Sequence, residues 1–85
     1  MIKVIKKFGA TWCAPCKALD KVLINVPPSI TVKKYDVEEE IEAAEKYKIT
    51  SVPTLVYEDA DGNELDRTVG NISMAKITEI INKHA

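Results

Sequence analysis

An α/β sandwich of element order βαβαββα, a four-stranded mixed sheet flanked by three helices, is the fold class predicted for this 85-residue chain. Three observations predict it. Apolar residues recur at helical spacing after position 17 and again after position 73, β-branched runs bounded by Pro, Gly and Asp lie between, and Asp59-Ala60-Asp61-Gly62 marks a tight turn joining two such runs. A strand, helix and strand in parallel, followed by an antiparallel hairpin and a packing helix, place the first strand centrally under the right-handed crossover rule.

The first strand is expected over Ile2 to Phe8, where Ile2, Val4, Ile5 and Phe8 are apolar on both parities, as in a largely buried strand. Gly9, Ala10 and Thr11 loosen the chain. The first helix begins near Cys13, is marked by Ala18, Leu19, Val22, Leu23 and Val26 recurring at helical spacing, and cannot pass Pro27-Pro28. Ile30 to Asp36 alternates as a second strand. Asp36, with Glu39 three residues on, resembles a capping box, so a second helix is expected from there to about Lys48, with Glu38, Glu39 and Glu40 forming a solvated acidic first turn. Thr54 to Tyr57 and Glu64 to Val69 form the hairpin strands. Asp59 and Asp61 resemble the start of a calcium loop, but its further ligands are absent and a plain turn is the better reading. Ser73 offers an N-cap to a last helix with Ile77, Ile80 and Ile81 on its buried side, ending at Ala85.

Composition narrows the function classes. The length suits a single domain over residues 1–85, with a thin core and a site close to solvent. Twelve basic against thirteen acidic residues give a net charge of -1, which argues against nucleic acid as a partner. No apolar run exceeds three residues, against about 20 for a membrane span, so a cytoplasmic protein with no membrane partner is expected. Two cysteines cannot make the multi-bridge framework of small secreted domains. In an intracellular protein their C-x-x-C spacing, Trp12-Cys13-Ala14-Pro15-Cys16-Lys17, means redox chemistry or metal.

That string, together with Thr50-Ser51-Val52-Pro53-Thr54 and Val69-Gly70, is similar to the thioredoxin family over nearly the whole chain. The usual first strand and helix are missing from this sequence, which resembles a trimmed, glutaredoxin-length member with the thioredoxin-like fold. The resemblance implies a protein disulfide reductase with no bound cofactor other than a redox-active Cys13–Cys16 disulfide. Physics supports it independently. Cys13 falls where a strand meets a helix N-terminus, whose free N–H groups and dipole stabilise a thiolate, making it the candidate nucleophile. Cys16, one turn on and more enclosed, is the candidate resolving thiol. Pro15 loses no helical hydrogen bond in the first turn and fixes the backbone between the thiols.

The resemblance further implies a cis Val52–Pro53 bond facing the dithiol, with the Val52 backbone pairing to an extended substrate strand; on the residues alone, Pro53 could equally start a strand. Trp12 is expected as a flat apolar shield beside Cys13 rather than a simple packing aromatic. Gly70 is expected to keep the floor of the substrate groove free of side chains. Two departures stand out. Lys7 occupies the place of the family's buried acid, where a lysine could act as a base, stabilise a thiolate or snorkel to solvent, the last being expected because the strand is short and near the surface. Lys34 matches the lysine usually paired to that acid, so two lysines stand where an ion pair is usual. Ala14 replaces the usual glycine, a small change expected to alter the redox potential slightly.

The implied partners are protein disulfide substrates and, as electron donor, a flavoenzyme thioredoxin reductase, with the protein itself a monomer. Glutathione is the alternative donor, but Asn71 follows Gly70 where glutaredoxins place an acid. A zinc or iron–sulfur centre lacks a second cysteine pair, and the lone His84 is expected as a solvent-exposed residue at the last helix end. A non-catalytic module binding a partner enzyme through the same groove is the remaining alternative.

Overall fold

The computed structural model describes residues 1–85. Its elements follow the expected order: β1 (Val4–Gly9), α1 (Ala14–Leu23), β2 (Thr31–Asp36), α2 (Ile41–Lys46), β3 (Thr54–Glu58), β4 (Glu64–Val69) and α3 (Met74–Lys83). The strands form one mixed sheet of order β2-β1-β3-β4, with β1 parallel to β2, antiparallel to β3, and interior as the crossover rule requires.

Register decides which side chains share a face. Ile5 pairs with Tyr57 and Lys7 with both Leu55 and Lys34. Ile5, Leu55 and Tyr57 join Leu19 and Leu23 of α1 and Ile77 and Ile80 of α3 in the main core. The other parity of β1 faces away from that core. There Phe8 stacks on Tyr35 with ring centroids 4.9 Å apart and meets Tyr47 at 5.3 Å. Glu58 is only 2% exposed on this second face and is held by Lys6 at 3.1 Å and by the hydroxyl of Tyr47. The Tyr47 hydroxyl also accepts from Lys6 Nζ at 2.7 Å, so all three polar groups are satisfied. Burial pulls the Lys6 ammonium towards deprotonation, but its bonds to Tyr47 and Glu58 outweigh this and hold its pKa above the ordinary value.

Several boundaries differ from expectation for local reasons. Gly9 belongs to β1 rather than to a loosened loop. The start of α2 is the largest correction. Asp36 does not cap it: the Asp36 carboxylate instead accepts the N–H of Glu38 at 2.8 Å, and its carbonyl accepts from Glu39 and Glu40, closing a turn. The acidic run therefore precedes the helix, which starts at Ile41 and has no side-chain cap. Lys48, at φ 55°, adopts the left-handed conformation that stops a helix. Residues 24–26 form a tightened turn after α1, and α3 ends at Lys83. The Ser73 side chain caps α3 by accepting from the Lys76 N–H at 3.2 Å, as expected. Asp59 spends both carboxylate oxygens on its own turn, accepting from the N–H groups of Asp61 and Asn63 and from the Asn63 amide. His84 is half-buried rather than solvent-exposed, because its ring nitrogen lies 3.1 Å from Asp66 across the end of α3.

Candidate active site

The end of β1 delivers the chain through Ala10-Thr11-Trp12 to α1, and Cys13 is the N-cap of that helix. Its sulfur accepts the backbone N–H of Cys16 at 3.2 Å, the position a capping oxygen ordinarily takes. Ala14 and Pro15 are the first helical residues, and the N–H that Pro15 lacks is one the first turn leaves unpaired in any case. Cys13 and Cys16 are joined as a disulfide with Cα atoms 5.3 Å apart. Both are enclosed, Cys13 at 4% exposure and Cys16 at 1%, so Cys16 is the deeper of the two. They cluster with Ala10, and Val37 and Val52 pack against them.

The Val52–Pro53 bond is cis and lies beside this cluster. Neither the N–H nor the C=O of Val52 has a backbone partner. Trp12, Val37, Ile49, Thr50, Ser51 and Val52 line a shallow groove of about 390 Å³ on this side of the disulfide. Trp12 is 68% exposed, which rules out the simple packing reading, and its indole N–H donates to Glu38 at 2.8 Å. The Gly70 N–H donates to the Pro53 carbonyl at 2.8 Å. A Cβ at Gly70 would meet nothing within 4 Å, so space does not require the glycine; its φ of +87° does.

A separate cleft of about 550 Å³ is lined by Cys16, Lys7, Asp20 and Lys34 among others. Here the snorkelling expectation fails. Lys7 is 6% exposed, and its ammonium sits 2.8 Å from Asp20 Oδ1. The reason is topological: β1 is an interior strand and α1 covers this face, so Lys7 meets a carboxylate where a surface strand would have offered water. Lys34 Nζ lies 3.4 Å from the same oxygen. That oxygen is completely enclosed, and no other group hydrogen-bonds to it. Burial pushes the Asp20 pKa up, but the two ammonium groups outweigh it and hold the carboxyl below its ordinary value. The two lysines thus share an acid supplied by α1. Asp20 was legible in principle, since it stands four residues after Cys16 and so on the same helix face. Glu38 carried no such local signal.

A family model described as Thioredoxin matches residues 2–83. Among curated relatives, thioredoxin from Chlamydia pneumoniae is 40% identical over 96% of this chain and 82% of its own length. Thioredoxin from Staphylococcus aureus is 37% identical over 91% of this chain and 77% of its own. A solved single-site variant of thioredoxin from Halobacterium salinarum superposes with a TM-score of 0.84 at 33% identity, covering 94% of this chain and 72% of that one. With a C-x-x-C disulfide at a helix start beside a cis-proline, the chain belongs to the thioredoxin family, the thiol–disulfide oxidoreductases, and Cys13–Cys16 is its redox-active pair.

Proposed function

We propose that the whole chain, residues 1–85, works as one domain in which Cys13 attacks an accessible protein disulfide and Cys16 resolves the adduct. The observation that carries this assignment is the N–H of Cys16 aimed at the Cys13 sulfur at 3.2 Å. A negative sulfur at that point gains a charge-assisted hydrogen bond and the positive end of α1. Thiolate attack breaks the substrate disulfide, giving a mixed disulfide between Cys13 and one substrate sulfur and expelling the other as a thiolate. Cys16 then attacks Cys13, forming the internal disulfide and releasing the substrate sulfur as a thiolate with its electron pair. Two electrons pass from the dithiol to the substrate.

Substrate binds along the Trp12–Val52 groove as an extended strand, using the unpaired N–H and C=O of Val52. Pro53 and Gly70 set the shape of that floor, and the bond from Trp12 to Glu38 holds the indole at the groove edge. Ala14 and Pro15 tune the potential through the backbone between the sulfurs. The donor is a flavoenzyme thioredoxin reductase, and the protein acts as a cytoplasmic monomer. No helix is long and apolar enough to cross a membrane.

Insulin reduction followed by turbidity, with NADPH and thioredoxin reductase in one series and glutathione in the other, tests the reading. Reduction with the flavoenzyme is expected, and Cys16→Ser is expected to accumulate a covalent adduct through Cys13. Absence of reduction with either donor overturns it.

A further inference from the structure

Gly9 stands between the deeper sulfur and a buried charge. A Cβ placed there would lie 3.2 Å from Cys16 Sγ and 3.2 Å from Lys7 Nζ, so the two atoms are no more than twice that distance apart. Outside Gly9 and its chain neighbours, the three atoms nearest that point are these two and Lys7 Cε, with no carboxylate among them. Lys7 in turn is pinned by Asp20, and one carboxylate serves two ammonium groups, so Lys7, Asp20 and Lys34 together keep a net charge of plus one. The cleft they line contains Cys16 and not Cys13.

The geometry points to Lys7 as the residue that makes Cys16 a thiolate when it must attack, with Asp20 holding the ammonium in place and Gly9 leaving the gap across which charge and sulfur meet. The inference rests on Cys16 being the resolving thiol. The remaining charged groups facing the cleft are Lys17 from α1, Asp36 from the end of β2 and Glu40 before α2. Lys17 and Glu40 are exposed and Asp36 is half-buried, so water screens them more than it screens Lys7. The cleft also opens to solvent past Thr11, Lys17 and Glu40. The Cys16 proton leaves through it to water, the resulting thiolate attacks Cys13 Sγ, the bond from Cys13 to substrate breaks, and the substrate sulfur departs with the electron pair.

The test needs no physiological substrate. In Cys13→Ser protein, Cys16 is the single thiol, and its ionisation is read by ultraviolet absorbance against pH. Adding Lys7→Met is expected to raise the Cys16 pKa by about one unit, a tenfold loss of thiolate at fixed pH, and Lys7→Arg to restore most of it. Gly9→Ala keeps every charge but wedges a methyl between the two atoms, and is expected to raise the pKa by less; it serves where Lys7→Met does not fold. In protein with both cysteines, release of thionitrobenzoate from the Cys13 mixed disulfide should move to higher pH in Lys7→Met. A Cys16 pKa that stays put or falls in Lys7→Met, or in Gly9→Ala if that is the only folded variant, overturns the inference. Insulin reduction by the unaltered protein tests the Cys13/Cys16 assignment separately, since it can fail while the titration succeeds.

Discussion

The N–H of Cys16 and the sulfur of Cys13 meet at 3.2 Å, so one atom both starts α1 and carries the redox chemistry. The structural half of that role is separable. In a Cys16→Ala background, which has no disulfide, Cys13→Ser is expected to keep the cap and Cys13→Ala to lose it, at about 1 kcal/mol. Urea unfolding of the two double variants measures the difference, and coincident midpoints would show that the sulfur caps nothing.

Acid sensitivity follows from Asp20. Its folded pKa lies below the unfolded one, because Lys7 and Lys34 outweigh its burial, so below the ordinary carboxylate range the unfolded chain binds more protons. Stability is therefore full above about pH 5 and falls as pH drops from about 4 towards the depressed value. Asp66, held low by the Arg67 N–H and His84, adds to the same limb with the same sign, as does Asp59, held low by Asn63. Asp20→Asn is expected to flatten, without abolishing, the fall in urea midpoint between about pH 5 and pH 2. A variant whose acid limb is as steep as the parent's would contradict the pairing.

On the second face of the sheet, Glu58 depends on two partners of unequal weight. Tyr47→Phe removes two hydrogen bonds, one given to Glu58 and one accepted from Lys6, leaves the ring against Phe8, and is expected to cost about 1–3 kcal/mol. Lys6→Met leaves a carboxylate that is 2% exposed without its counter-ion and is expected to cost more, about 3–5 kcal/mol. Thermal unfolding of both ranks them, and the reverse order would show that the tyrosine, not the lysine, neutralises the site.

Gly70 separates a backbone role from a groove role. Its φ of +87° predicts that Gly70→Ala costs about 1–2 kcal/mol, with Gly70→Asn milder. For a domain of this size that is a fall of at least about 4 °C in Tm. The bare Cβ position leaves room for a substrate strand, so Gly70→Ala is expected to raise KM for insulin as well. A KM that stays put would show that Gly70 serves the backbone alone.

Much of this molecule is legible before folding. Periodicity locates the strands and α1, the turn chemistry of Asp59 to Gly62 locates the hairpin, and the Cys13/Cys16 spacing locates the site. What escapes has two kinds of cause. At Asp36 two local motifs compete for one carboxylate: the same residue can cap a helix or close a turn on Glu38, and only the packed chain decides. At Lys7 the deciding partner is thirteen residues away on another element, reached only after β1 becomes an interior strand beneath α1. The Trp12–Glu38 bond is hidden for the same reason, being made between two loops that only the fold brings together.

The strand order leaves two margins, β2 and β4, whose backbone groups have no neighbour on one side. Each margin is charged: Lys33 and Lys34 on one, Glu64, Asp66 and Arg67 on the other. A second chain laying its own strand alongside β2 would bring lysines against lysines, and Lys34 would still be engaged with Asp20. Fibril growth by edge addition is thereby discouraged at β2 by the same residue that helps anchor the acid behind the disulfide.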